Sequence, residues 1–140
     1  MSSVTGVSSI PTRPLYDATD SLLRFAVRAD ATLTGLFGLT IAFLADPLSS
    51  LTGLTSFQEY GVGVLFVLAG LLVFSLGALP DLRRVGVSVL VVNVAFTLAS
   101  IVAAEALPLT DTGVALTLAT GAYTAAFAGL QYLGLRRLAA

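Results

Sequence analysis

The chain has 140 residues, 56% hydrophobic and only 11% charged, against roughly 25% charged in an average soluble domain. A soluble domain this small buries only about two-thirds of its unfolded surface and needs polar residues to cover the rest; they are missing, so the sequence predicts a chain solvated by lipid. It has no Cys, His or Trp, and its basic residues are seven arginines with no lysine. That excludes disulfide relays, thiolate-held clusters and imidazole acid–base chemistry, and the net charge of −1 leaves no basic excess for a nucleic-acid partner.

Residues 1–20, rich in Ser and Thr, lack the basic and apolar regions of a signal peptide and read as a disordered cytoplasmic tail. Residues 21–140 then form one transmembrane domain with spans at about 24–46, 57–79, 83–105 and 112–135. The second is the clearest, with Gly61 to Leu79 free of charge. The first is the least clean. Ala31 to Ala45 is too short to cross alone and must recruit a stretch carrying Arg24, Arg28 and Asp30. Arginine side chains can snorkel to the interface, which leaves Asp30 as the one acid inside a span, about one turn from its edge.

Pro47, Pro80 and Pro108 each follow an apolar run and mark its end. Ser56 with Glu59 has capping-box spacing, Asp81 and Asp111 stand before the third and fourth spans, and Asp20 or Ser21 can cap the first. The arginines set the orientation. Arg13, Arg24 and Arg28 precede span one, Arg83 and Arg84 separate spans two and three, and Arg136 and Arg137 follow span four; the alternate loops carry Asp46, Glu59, Glu105 and Asp111. The positive-inside rule puts both termini in the cytoplasm of a multi-pass cell-membrane protein. The predicted fold is all-α, an antiparallel four-helix transmembrane bundle.

Lipid gives helices little hydrophobic reason to associate, so small and polar residues identify the contact faces. Gly35 and Gly38 in span one, and Gly63, Gly70 and Gly77 in span two, recur at helical spacing and predict close-packed seams. In spans three and four the stripe is polar: Asn93, Thr97 and Ser100 against Thr120, Thr124 and Gln131. Level antiparallel helices bring Thr97 beside Thr124 and Ser100 beside Thr120. Asn93, near mid-bilayer, needs a hydrogen-bond partner in a Thr or in Gln131. The same residues can alternatively line a narrow polar path. Asp30 reads either as a salt-bridge partner of Arg83, Arg84, Arg136 or Arg137, or as a protonatable transport carboxylate. Arg24, Arg28, Arg83, Arg84, Arg136 and Arg137 together can collar anionic lipid head groups.

The stretch Arg28-Ala29-Asp30-Ala31-Thr32-Leu33-Thr34-Gly35-Leu36-Phe37-Gly38-Leu39, with Pro47-Leu48 and Leu51-Thr52-Gly53-Leu54 after it, resembles the first hairpin of an uncharacterised family of small four-span bacterial integral membrane proteins. The ending Ala128-Gly129-Leu130-Gln131-Tyr132-Leu133-Gly134-Leu135-Arg136-Arg137 is similar to that family's C-terminus. The resemblance implies four spans, with Asp30, Gly35 and Gln131 matching the family pattern, and supplies no reaction. The expectation is a non-enzymatic membrane protein without cofactor or metal, partnered by the bilayer and by other membrane subunits or a second copy of itself, as an accessory or assembly subunit. The alternative is a small transporter or channel using the Asn93, Thr97, Thr120 and Thr124 path.

Overall fold

The computed structural model describes residues 20–139, so the expected N-terminal tail, Arg13 included, lies outside the described residues apart from Asp20. The described residues form five helices and no strand: α1 Ser21–Phe43, α2 Ala45–Thr52, α3 Ser56–Leu76, α4 Leu82–Ala106 and α5 Asp111–Ala139. Four of them, α1, α3, α4 and α5, are long and apolar enough to cross a membrane. Even the shortest of these, 21 residues, reaches about 32 Å at ~1.5 Å per residue, the thickness of a hydrocarbon core. Large apolar side chains along their outer faces, among them Phe43, Leu68, Leu72 and Val102, are exposed, as suits helices that meet lipid rather than water.

The helix limits depart from the sequence expectation where local chemistry decides. The first span runs three residues earlier than 24–46, and Leu44 breaks it. Pro47 does not simply terminate the span; it sits in the first turn of the extra helix α2, where a missing N–H costs nothing because those donors have no intrahelical acceptor. Helix α2 ends at Gly53, whose φ of +90° accommodates the turn. A Cβ there would also stand 2.8 Å from the Pro108 carbonyl oxygen, so glycine is required twice over.

The capping box of α3 is formed by Thr55 and Gln58, not by Ser56 and Glu59. Gln58 N donates to Thr55 Oγ1 at 3.0 Å and Thr55 N to Gln58 Oε1 at 2.9 Å. Moving the cap by one residue turns Glu59 inward. Asp81 caps α4 as expected, accepting from Arg84 N at 3.2 Å. At α5 the acceptor is Thr110, whose Oγ1 takes Gly113 N at 3.0 Å, and Asp111 stands within the first turn. Asp20 precedes α1 without a side-chain cap bond.

Two antiparallel pairs hold the molecule together by different means. Between α1 and α3 the backbones nearly touch. A Cβ added to Gly38 would lie 2.5 Å from the Gly63 carbonyl oxygen, one on Gly63 would lie 2.6 Å from Ala42 N, and one on Gly70 would lie 2.7 Å from the Ala31 carbonyl oxygen. Gly35 belongs to this seam through its backbone alone: Gly70 abuts its N, but nothing lies within 4 Å of where its own Cβ would stand. The second pair, α4 and α5, meets through polar side chains. Helix α1 joins the pairs. Fully buried Leu23 fits against Gly86 of α4 and Gly134 of α5, and with Val27, Leu82, Val85 and Val89 it forms the apolar core. That core lies at the end carrying Arg24, Arg28, Arg83, Arg84, Arg136 and Arg137; the opposite end carries Asp46, Glu59, Glu105 and Asp111.

Candidate functional site

Above the apolar core, three helices converge on Asp30. Its carboxylate is buried and accepts at both oxygens. Asn93 Nδ2 of α4 donates to Oδ2 at 2.7 Å and Gln131 Nε2 of α5 donates to the same oxygen at 2.9 Å. Thr34 Oγ1, one turn along α1, lies 3.1 Å from Oδ1, and the Tyr123 hydroxyl of α5 lies 3.2 Å from it. Each hydroxyl has one proton, so with both directed at the carboxylate every oxygen receives two bonds. Tyr123 OH also lies 3.1 Å from the Asp30 carbonyl oxygen and 3.1 Å from Thr34 Oγ1. Asn93 Nδ2 further donates to Gln131 Oε1 at 2.9 Å, which couples the two amides that hold the acid.

The expected ion pair between Asp30 and an arginine is not formed. Arg24 bonds Asp20 at 3.1 Å and the Gly77 carbonyl oxygen at 2.8 Å, and Arg84 pairs with Asp81 at 3.6 Å. Asp30 is also more than one turn from either end of α1, the tenth of its 23 residues. Asn93 is the twelfth of the 25 residues of α4, so its partner Asp30 is drawn about 16 Å along that helix, close to its middle. Neutral donors, not cations, are what stabilise the carboxylate: each is a charge-assisted bond of the stronger kind.

From Asn93 a ladder of hydroxyls continues between α4 and α5. Thr97 Oγ1 lies 3.0 Å from the Asn93 carbonyl oxygen and 2.6 Å from Thr124 Oγ1. Ser100 Oγ donates to the Thr97 carbonyl oxygen at 2.8 Å. The Thr97–Thr124 register is the expected one. Ser100, however, packs against Gly121, whose missing side chain makes room for it, and Thr120 turns away to bond Leu116 O in its own helix at 3.0 Å. Thr120 is therefore outside the cluster, while Asn93, Thr97, Ser100, Thr124 and Gln131 are inside it. Gln131 is 0% exposed.

Sequence reasoning missed Tyr123 and Thr34. The signal for Thr34 was its place four residues after Asp30 on the same helix face; for Tyr123 it was a phenol in mid-span, away from the interface where aromatic hydroxyls usually sit. A second buried acid was missed as well. Glu59 is buried beneath α2, where Thr52 donates to its Oε1. Thr52 O in turn accepts Thr110 N at 3.0 Å, and Gly113 lies against the same carbonyl, so α2 latches the start of α5 to the start of α3.

No group of three or more Asp, Glu, His or Cys side chains that could hold a metal ion occurs among the described residues. Comparisons with family models, with characterised proteins and with solved structures gave no match to this chain.

Proposed function

We propose that the protein is a multi-pass cell-membrane protein whose four long helices cross the bilayer as one antiparallel bundle with both termini cytoplasmic. It works without catalysis, as an accessory or assembly subunit of a larger membrane complex or as a homo-oligomer. One observation carries the reading: buried polar side chains of three spans meet across helices, with Asp30 tying α1 to α4 through Asn93 and to α5 through Gln131 and Tyr123. Such a centre fixes the relative position of three helices, as a subunit presenting a fixed apolar surface to neighbours requires. Orientation is supported by the six arginines gathered at one end and the acids at the other. Purification of the full chain in mild detergent from its native membrane tests the subunit role: a defined co-purifying membrane partner or a stable oligomer is expected, and a monomer without partners under several gentle conditions removes the reading.

A second reading is favoured by the hydroxyl ladder. Asp30, Asn93, Thr97, Thr124 and Ser100 form a polar track leading from mid-span toward the acidic end, closed at the arginine end by Leu23 and Val27. A small transporter or channel would use such a track for protons or small ions. Flux of protons, halides and small cations into liposomes then falls in Asn93→Leu and Asp30→Asn; absent flux, or flux unchanged in both variants, removes it.

A further inference from the structure

Arg28 stands out among the charged residues. Its Nε is the buried side-chain atom without a hydrogen-bond partner among the described residues. Its guanidinium lies over the Phe74 ring, 4.6 Å from the centroid, and level with the end of α3, since Nε is 3.2 Å from where a Gly77 Cβ would stand. Among the described residues, the acids near that end have other partners: Asp20 bonds Arg24, Asp81 bonds Arg84, and Asp30 its amides and hydroxyls. A guanidinium is permanently charged and its planar fork matches phosphate oxygens, and no described acid forms an ion pair with this one.

Open space lies further along the same helix face. Seven residues further along α1, on the same face as Arg28, Gly35 leaves a gap with nothing within 4 Å of its missing Cβ, although its backbone supports Gly70 of α3. Phe74 and Leu71, one turn apart on α3, are exposed. A charged head position is thus followed along the helices by open space over Gly35 and by exposed apolar side chains of α3.

We propose that Arg28, Phe74 and the gap over Gly35 form a site for one anionic phospholipid of the leaflet at the arginine end. The phosphate is held by the Arg28 guanidinium and one acyl chain lies over Gly35, along α1 and α3. This rests on the proposed membrane crossing, which cysteine labelling tests separately, and holds for either functional reading. It differs from a diffuse arginine collar in requiring Arg28 and Gly35 together.

Native mass spectrometry of the full chain in mild detergent, titrated with phosphatidylglycerol, phosphatidylcholine or glycerol 3-phosphate, tests it. Wild type is expected to retain one phosphatidylglycerol, bound about tenfold more tightly than phosphatidylcholine, and glycerol 3-phosphate should not compete. Arg28→Gln and Gly35→Leu should each lower that affinity about tenfold, the scale of one charged hydrogen-bonding group, while Arg137→Gln leaves it unchanged. Gly35→Leu keeps the charge and enters open space, so it decides the matter if Arg28→Gln fails to fold. Unchanged binding in either folded variant, an equal loss in Arg137→Gln, or competition by glycerol 3-phosphate would each overturn the proposal.

Discussion

Asp30 shows how a carboxylate can be held in an apolar setting without a cation: two amides and two hydroxyls surround it, and the amides also bond each other. Removing one member leaves the others short of a donor in surroundings that cannot supply one. Asn93→Leu is therefore expected to destabilise the fold by about 2 kcal/mol, the cost of orphaned buried acceptors, read from unfolding in detergent micelles. Gln131→Leu added to that variant should cost less than it does alone, because the Asn93–Gln131 bond is already lost. Thr120→Ala, which touches only its own helix, should stay within about 0.5 kcal/mol. The pairing of Asn93 with Gln131 was legible in the sequence, since both lie on polar stripes of facing helices. The role of Asp30 was not. Its linear distance from the end of the apolar run suggested a shallow residue near arginines, whereas α1 begins at Ser21, nine residues before it, and so carries it level with Asn93 near the middle of α4.

The two helix pairs answer to different substitutions. Along α1–α3, where a Gly38 Cβ would meet the Gly63 carbonyl oxygen at 2.5 Å, Gly38→Ala forces the backbones apart at an expected cost of about 1–3 kcal/mol. Gly35→Ala, facing open space, should be neutral or slightly stabilising because alanine is the better helix former. Unfolding temperatures of the two variants side by side check the contrast. Both glycines share one helical spacing in the sequence, which marked the seam but could not separate the residue that touches from the one that does not; that depends on a rotation of a few tens of degrees about the helix axis. Helix α2 was hidden for a related reason. Proline reads as a stop after an apolar run and as a start inside a first turn, and Pro47 occupies the second position. The same ambiguity between neighbouring cap residues concealed Glu59.

On the scale of the whole molecule, four long helices and their approximate limits follow directly from the apolar runs, because lipid demands both length and absence of charge. Orientation is open to a direct test, helped by a chain that has no cysteine of its own. In intact cells, a membrane-impermeant maleimide should label Ser50→Cys, exposed on α2, and should label Arg83→Cys only after permeabilisation. The reverse pattern would invert the molecule; labelling of both in intact cells would remove the single orientation.

The partners of Asp30 also set an order of events during synthesis. Asn93 and Gln131 follow it by 63 and 101 residues, so when α1 first meets the bilayer its acid has only Thr34 for company. Until Asn93 and Gln131 arrive, that carboxyl group lacks the two amides that hold it in the finished fold. A chain ending after α3 should accordingly be cleared by membrane proteases, and Asp30→Leu should lengthen the survival of that fragment in a pulse-chase experiment. The most N-terminal span is thus the last to settle.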